Sequence, residues 1–282
     1  MGLESGGSAR CLSDPGSAQM SLNRDSFSDL AARSATGMAM AVVGLTAVWM
    51  GGAVFVGLVI LIVGVLVWEL VRMLGGGLRR AIVLGCLAAG LLLAAKLLPI
   101  GLGLPLLLLV GILGIGVLEK NRTLYIMYAA LIMFAGFGLL VHREDFGLTW
   151  MLWLVLVVAA TDVFGYFAGR IFGGPKFWPL VSPKKTWSGT VAGWVSAGLV
   201  GAAFMKATGS GVELIGISVA LSMASQMGDI AESALKRRVG VKDSSNLLPG
   251  HGGMFDRFDG MLGAALLLLL VESFAEFPPT PI

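Results

Sequence analysis

"SATGMAMAVVGLTAVWMGGAVFVGLVILIVGVLVW", residues 34–68, runs for 35 residues without one charged side chain. A helix needs roughly 20 apolar residues to cross a hydrocarbon core about 30 Å thick, so this stretch is too long for one crossing. The pair Gly51-Gly52 falls in its middle and predicts a tight hairpin between two spans. The rest of the chain repeats the pattern. Of 282 residues, 56% are hydrophobic and 13% charged, with a mean hydropathy of +0.87, whereas a soluble domain carries about a quarter charged residues. Backbone groups in lipid must pair within their own segment, which makes these stretches helices. Further spans read as roughly 81–98, 100–118, 123–141, 147–168, 189–208, 212–232 and 255–275. The expected fold is an all-α polytopic membrane protein of about nine transmembrane helices.

Composition excludes several classes. The two cysteines, Cys11 and Cys86, lie in a polar tail and in an apolar run, so neither a disulfide framework nor a thiolate metal site is expected. A net charge of +3 gives no case for a nucleic-acid partner. The opening "MGLESGGSAR" is followed by a polar stretch instead of the apolar core of a signal peptide, and Gly6 stands where a myristoylation pattern wants Ser or Thr. Residues 1–33 read as a mobile cytoplasmic tail with a short interfacial helix at "SFSDLAAR". Residues 34–145 read as the N-terminal transmembrane helices, about five, and 146–282 as a C-terminal catalytic region.

Short loops rich in Lys and Arg stay in the cytoplasm. With nine spans, 17 of the 20 basic residues fall on one side, leaving Lys96, Arg143 and Lys206 on the other. The N-terminus is then cytoplasmic, and the expected location is the inner (plasma) membrane.

Three spans are too short if every charge stays outside the bilayer. Between Asp145 and Asp162 lie 16 uncharged residues, roughly 24 Å of helix. Between Glu213 and Asp229 lie 15, roughly 22 Å, and Gly260–Val271 gives 12, roughly 18 Å. Each helix must therefore draw its cytoplasmic end inward, bringing Asp162, Asp229, Asp256 and Asp259 to a similar depth. A charge at mid-bilayer costs at least about 2.5 kcal/mol, so the four acids should converge on one polar cavity with compensating partners. Asp229, Ser233 and Lys236 share a helix face with Glu232 beside them, and Asp256 and Asp259 are i, i+3 neighbours. Carboxylates among Lys and Arg, without paired His or Cys, suit a hard ion such as Mg²⁺ that shares its shell with phosphates.

The basic residues extend the same picture. "SPKKTWSG", residues 182–189, sets Ser182, Lys184, Lys185, Thr186 and Ser188 before a helix N-terminus, where free N–H groups favour an anion. "KRRVGVKD" adds Lys236, Arg237, Arg238 and Lys242, and the glycines of "PGHGG" let backbone approach a ligand or hinge. Plainer readings stand beside these. Basic loops also set topology, "SPKKTWSG" also serves as a helix cap, His251 also fits a turn, Asp162 with Tyr166 and Arg170 also fits an interhelical ion pair, and "GYFAG", 165–169, is a helix-packing pattern.

Ser233-Ala-Leu-Lys236-Arg237, then Lys242-Asp243, Ser245, Leu248-Pro249, His251-Gly252-Gly253-Met254 and Asp256-Arg257-Phe258-Asp259 span 27 residues. This run resembles the complete signature of the phosphatidate cytidylyltransferases, or CDP-diacylglycerol synthases. "DVFGYFAGRIFG", "SPKKTWSG" and "GDIAESALKR" are similar to that family's other polar stretches, so the likeness covers roughly residues 150–275. Ser188 departs from it, standing where the family usually has Glu. The resemblance implies transfer of CMP from CTP to phosphatidic acid, with Asp229 and Asp256 binding the catalytic Mg²⁺ and a second cation left open. It implies that Lys242, Asp243, His251, Arg257 and Asp259 shape the CTP site, that the "SPKKT" loop lies near phosphate, and that the protein is a homodimer. The polar site is then expected on the cytoplasmic side of the C-terminal helices. Rival readings are another CTP-dependent lipid transferase, a polyprenol kinase and a secondary transporter. A CDP-alcohol phosphotransferase is disfavoured because its D-G-x-x-A-R start is missing.

Overall fold

The computed structural model describes residues 35–248, 252–274 and 277. Residues 1–34, with the expected tail and its interfacial helix, lie outside these, as does His251. The described chain is helical almost throughout. Five of its helices are long and apolar enough to cross a membrane. They are α2 (Gly52–Met73), α3 (Leu78–Leu97), α6 (Arg122–Ile171), α7 (Trp187–Thr208) and α8 (Glu213–Val239). Shorter helices complete the bundle: α1 (Ala35–Met50), α4 (Ile100–Leu107), α5 (Leu109–Ile115) and α9 (Phe255–Phe274). This is an α-helical integral membrane protein.

The helix breaks follow from particular residues. The uncharged run that opens the chain of spans divides at Gly51, whose φ of 63° few other residues adopt. Arg143 closes that end of α1 by donating from Nε to the carbonyl of Val48 at 2.9 Å. The 50-residue α6 contains one non-helical residue, Gly147 (φ 82°), which divides it where two separate spans were expected. The stretch expected as one span over 100–118 runs as α4 and α5 in succession, because Pro105 supplies no N–H and the turn tightens around Leu108. One element was not expected. After Gly173 and Gly174, both at positive φ, β1 (Lys176–Trp178) pairs antiparallel with β2 (Ser182–Thr186), so "SPKKT" is a strand.

Lipid is as apolar as Leu, so close packing and interhelical hydrogen bonds hold such helices together. The long α6 packs against α2, α5, α7, α8 and α9. Trp150 and Trp153 lie fully buried in it, stacked edge-on with each other and with Phe277. Two buried hydrogen bonds tie α6 to α8: Trp153 Nε1 donates to Ser218 Oγ at 2.9 Å, and Thr161 Oγ1 to Ser222 Oγ at 2.8 Å. Between α8 and α9 the approach is closer still. A side chain at Gly228 would collide with the carbonyl of Asp259, and one at Gly263 with the carbonyl of Ala224. Similarly, Gly165 and Gly189 bring α6 and α7 into backbone contact, which is the packing role expected of "GYFAG".

Candidate functional site

The last helices alternate in direction, so the C-terminal ends of α6 and α8 lie beside the N-terminal ends of α7 and α9. There a cavity of about 680 Å³ opens. One helix face of α6, Asp162-Gly165-Tyr166-Gly169-Arg170, forms one wall, and Gln226, Asp229, Glu232 and Lys236 of α8 form another. Strand β2 and the first turn of α7 contribute Lys184, Lys185, Thr186, Gly189 and Thr190, while Asp243, Asp256, Arg257 and Asp259 close the remainder. The four acids expected at one depth, Asp162, Asp229, Asp256 and Asp259, thus share one cavity. Because Gly228 touches the backbone of Asp259, the acids on α8 and α9 are brought together by main-chain contact.

Charge is nearly balanced. Six carboxylates face five basic side chains, so a bare polyanion gains little net attraction whereas a divalent cation arriving with it tips the balance. The balance is unevenly distributed. Asp162, Asp229 and Asp259 act on one another electrostatically, and Lys185 is the cation among them. Lys185 Nζ is paired with Asp229 Oδ2 and lies 3.5 Å from the carbonyl of Gln226. Ser233 Oγ stands behind Asp229 at 3.4 Å.

The other corner is built around Lys236. Its ammonium lies 2.5 Å from Glu232 Oε2 and 2.6 Å from Asp256 Oδ1. Asp256 Oδ2 then accepts from Ser244 N at 2.9 Å, Ser244 Oγ at 2.9 Å and Gly253 N at 2.8 Å. This carboxylate is 8% exposed, against 34% for Asp229. Charge-assisted hydrogen bonds of this kind offset the cost of burial.

Strand β2 delivers its cations through the cap of α7. Thr186 is the N-cap residue, its Oγ1 accepting from Gly189 N at 3.3 Å, so the helix-cap reading of "SPKKTWSG" holds, and Lys184, Lys185 and Thr186 also line the cavity. Ser188, the one departure from the family pattern, donates to the carbonyl of Gly173 at 2.5 Å and so secures the hairpin base. Arg170 donates to Tyr166 Oη at 2.7 Å on the same wall as Asp162.

Four other expected site residues are not in the lining. Ser182 pairs with Trp178 in the hairpin, Ser233 lies behind Asp229, and Arg237 and Lys242 are exposed. Glu232, noted beside the helix face of Asp229 but not assigned a site role, belongs to the network, as do Gln226, Ser244 and Glu69, which were not anticipated. Of these only Glu232 carried a visible signal, being i+3 from Asp229.

Among the described residues no group of three or more His, Cys, Asp or Glu is arranged to hold a metal ion. The donor chemistry nevertheless fits a hard divalent cation, since carboxylate oxygens from α6, α8 and α9 face one cavity. Lys185 and Lys236 are the cations paired with Asp229 and Asp256.

Residues 31–274 match the sequence profile described as "Cytidylyltransferase family". A phosphatidate cytidylyltransferase of Brucella suis biovar 1 (strain 1330) is 46% identical over 162 residues, which is 54% of this chain and 59% of that protein. One from Brucella abortus biovar 1 (strain 9-941) is 48% identical over 158 residues, 52% of this chain and 58% of that protein. One from Staphylococcus aureus (strain COL) is 37% identical over 172 residues, 57% and 66% of the two chains. The chain therefore spans about three fifths of the length of the Brucella relatives. With the profile running from before α1 to the last turn of α9, the chain belongs to the cytidylyltransferase family.

Proposed function

We propose that this protein transfers the cytidylyl group of CTP to phosphatidic acid, giving CDP-diacylglycerol and pyrophosphate. The observation that carries the reading is the meeting of carboxylates from three helices with lysines in one cavity at one end of an apolar bundle. The relatives named phosphatidate cytidylyltransferase support the choice of nucleotide and acceptor.

In this reaction an oxygen of the lipid phosphate attacks the α-phosphorus of CTP, the bond from that phosphorus to the β-phosphate bridge breaks, and pyrophosphate leaves with the electron pair. The attacking oxygen is already anionic at neutral pH, so no strong base is needed. The protein must instead cancel charge and fix geometry. Lys184 and Lys185, on the strand before the N-terminus of α7, face the phosphates. Asp243, Arg257 and Asp259 line the nucleotide pocket, and Lys242 and His251 are assigned to the CTP site by the family resemblance alone. Asp229 and Asp256 would hold Mg²⁺, which supplies Lewis-acid charge neutralisation on the phosphates when bound. Lys236 holds Asp256 in orientation. The C-terminal region, 146–282, is the catalytic part, and the helices of 34–145 are its membrane scaffold.

The cavity mouth faces the cytoplasm in this reading, with nine crossings once the two arms of α6 and the pair α4 and α5 are counted as spans. That side supplies CTP, and the basic residues of the hairpin and of the end of α8 follow the rule for cytoplasmic loops. The test is purified protein in lipid nanodiscs given labelled CTP and phosphatidic acid. Metal-dependent labelling of the lipid and release of pyrophosphate are expected. Labelling of another acceptor only, or no incorporation into lipid at all, overturns the reading.

A further inference from the structure

We infer that Glu69, on α2 of the N-terminal half, is a positioning residue for the cavity, fastening the loop and helix turn that present Asp256. The inference rests on the transferase reading above. Glu69 is fully buried in a helix whose other charged residue, Arg72, is exposed in the last turn. A buried carboxylate is costly unless hydrogen bonds replace its lost water. Here they come from residues far along the chain. Met254 N donates to Oε1 at 2.9 Å and Phe255 N to Oε2 at 2.6 Å. Ser245 Oγ donates to Oε1 at 2.5 Å, and Ser244 Oγ lies 3.3 Å from Oε2.

Met254 and Phe255 carry N–H groups at the start of α9, where a helix has unpaired donors and its dipole favours an anion. Glu69 thus caps α9 from another helix. The next residue along α9 is Asp256, whose Oδ2 takes Gly253 N, Ser244 N and Ser244 Oγ. Ser244 lies between the two carboxylates, and its single hydroxyl proton goes to the nearer, Asp256. Gly253 is closely enclosed as well, since a side chain there would strike both Ser244 Oγ and Glu69 Oε1. Glu69 is not itself part of the cavity lining, so its effect on the reaction passes through Asp256.

The experiment compares full-length wild type with Glu69→Gln and Ser245→Ala in nanodiscs. Three quantities are read: hydrogen exchange of residues 244–248 and 252–258 without substrate, kcat and KM for CTP, and the thermal midpoint. In Glu69→Gln the amide nitrogen replaces one acceptor, so exchange in those two segments should rise about tenfold while the middle of α8 is unchanged. kcat should fall about tenfold with KM for CTP moving less than about threefold, because the nucleotide contacts are untouched. Ser245→Ala, which removes one donor, should shift both readouts the same way by about threefold. Unchanged exchange in either segment, or a fall in kcat that only tracks loss of folded protein, overturns the inference. If Glu69→Gln does not fold, Ser245→Ala decides: wild-type exchange and kcat in it overturn the inference. A wild type that labels no lipid would sink the transferase reading, while the exchange data would still report on the fastening.

Discussion

Asp229 and Asp256 bear the same functional group into the same cavity, yet their surroundings are opposite. Asp229 is one-third exposed, paired with one lysine from the β-hairpin and supported by one long contact from Ser233. Asp256 is almost buried, and its two oxygens take four hydrogen bonds, from Lys236, Ser244 and Gly253. The first is free to exchange its partner for a ligand. The second is held in a frame. On the transferase reading, a site that admits a nucleotide and releases pyrophosphate would use both kinds: an acid that can turn toward what arrives, and one whose direction is set in advance.

The contrast is broken most severely by replacing each acid in turn. Asp229→Asn and Asp256→Asn should each lower lipid labelling at least about 100-fold, equivalent to ~2.7 kcal/mol of transition-state stabilisation. Only Asp256→Asn should also lower the thermal midpoint, because it strips Lys236 of a buried partner, a loss of roughly 3–5 kcal/mol when such pairs are broken. Equal midpoints for the two variants would erase the distinction. Chelation with EDTA should reduce labelling to background in the wild type, with Mg²⁺ restoring it; activity that survives chelation would remove the metal from the reading. Gly253→Ala pushes a methyl group into Ser244 and Glu69, so it should cost about 1–3 kcal/mol of stability and a comparable loss of turnover. Lys185→Met touches the open corner, and should raise KM for CTP about tenfold with little change in midpoint. Ser233→Ala should be the mildest, less than about twofold in kcat, since a 3.4 Å contact contributes little.

Much of the open corner was legible in the sequence because it follows from helix length and period. The apolar runs before Asp162 and Asp229 are short, which pointed to acids gathered together, and the cavity holds both; Asp229 also shares one face of any α-helix with Glu232 and Lys236, which reach over to the closed corner. Arg237 is one residue beyond Lys236 and turns away from that face, so adjacency in a signature did not make it a lining residue. The closed corner was far less legible. Glu69 sits three residues from Arg72 at the end of α2 and looks like the polar edge of a span, while its partners are 175 to 186 residues away. No local pattern encodes such a contact. The β-hairpin was missed because its two strands are three and five residues long, too short for alternation to stand out.

The main-chain contact between Gly228 and Asp259 has one more consequence. Two helices that meet through their peptide groups keep their separation whatever side chains line the rim above them. The gap between the acids on α8 and α9 is therefore a fixed gauge. Substitutions around the mouth can reshape what the cavity admits while the spacing of the charged jaws beneath stays constant.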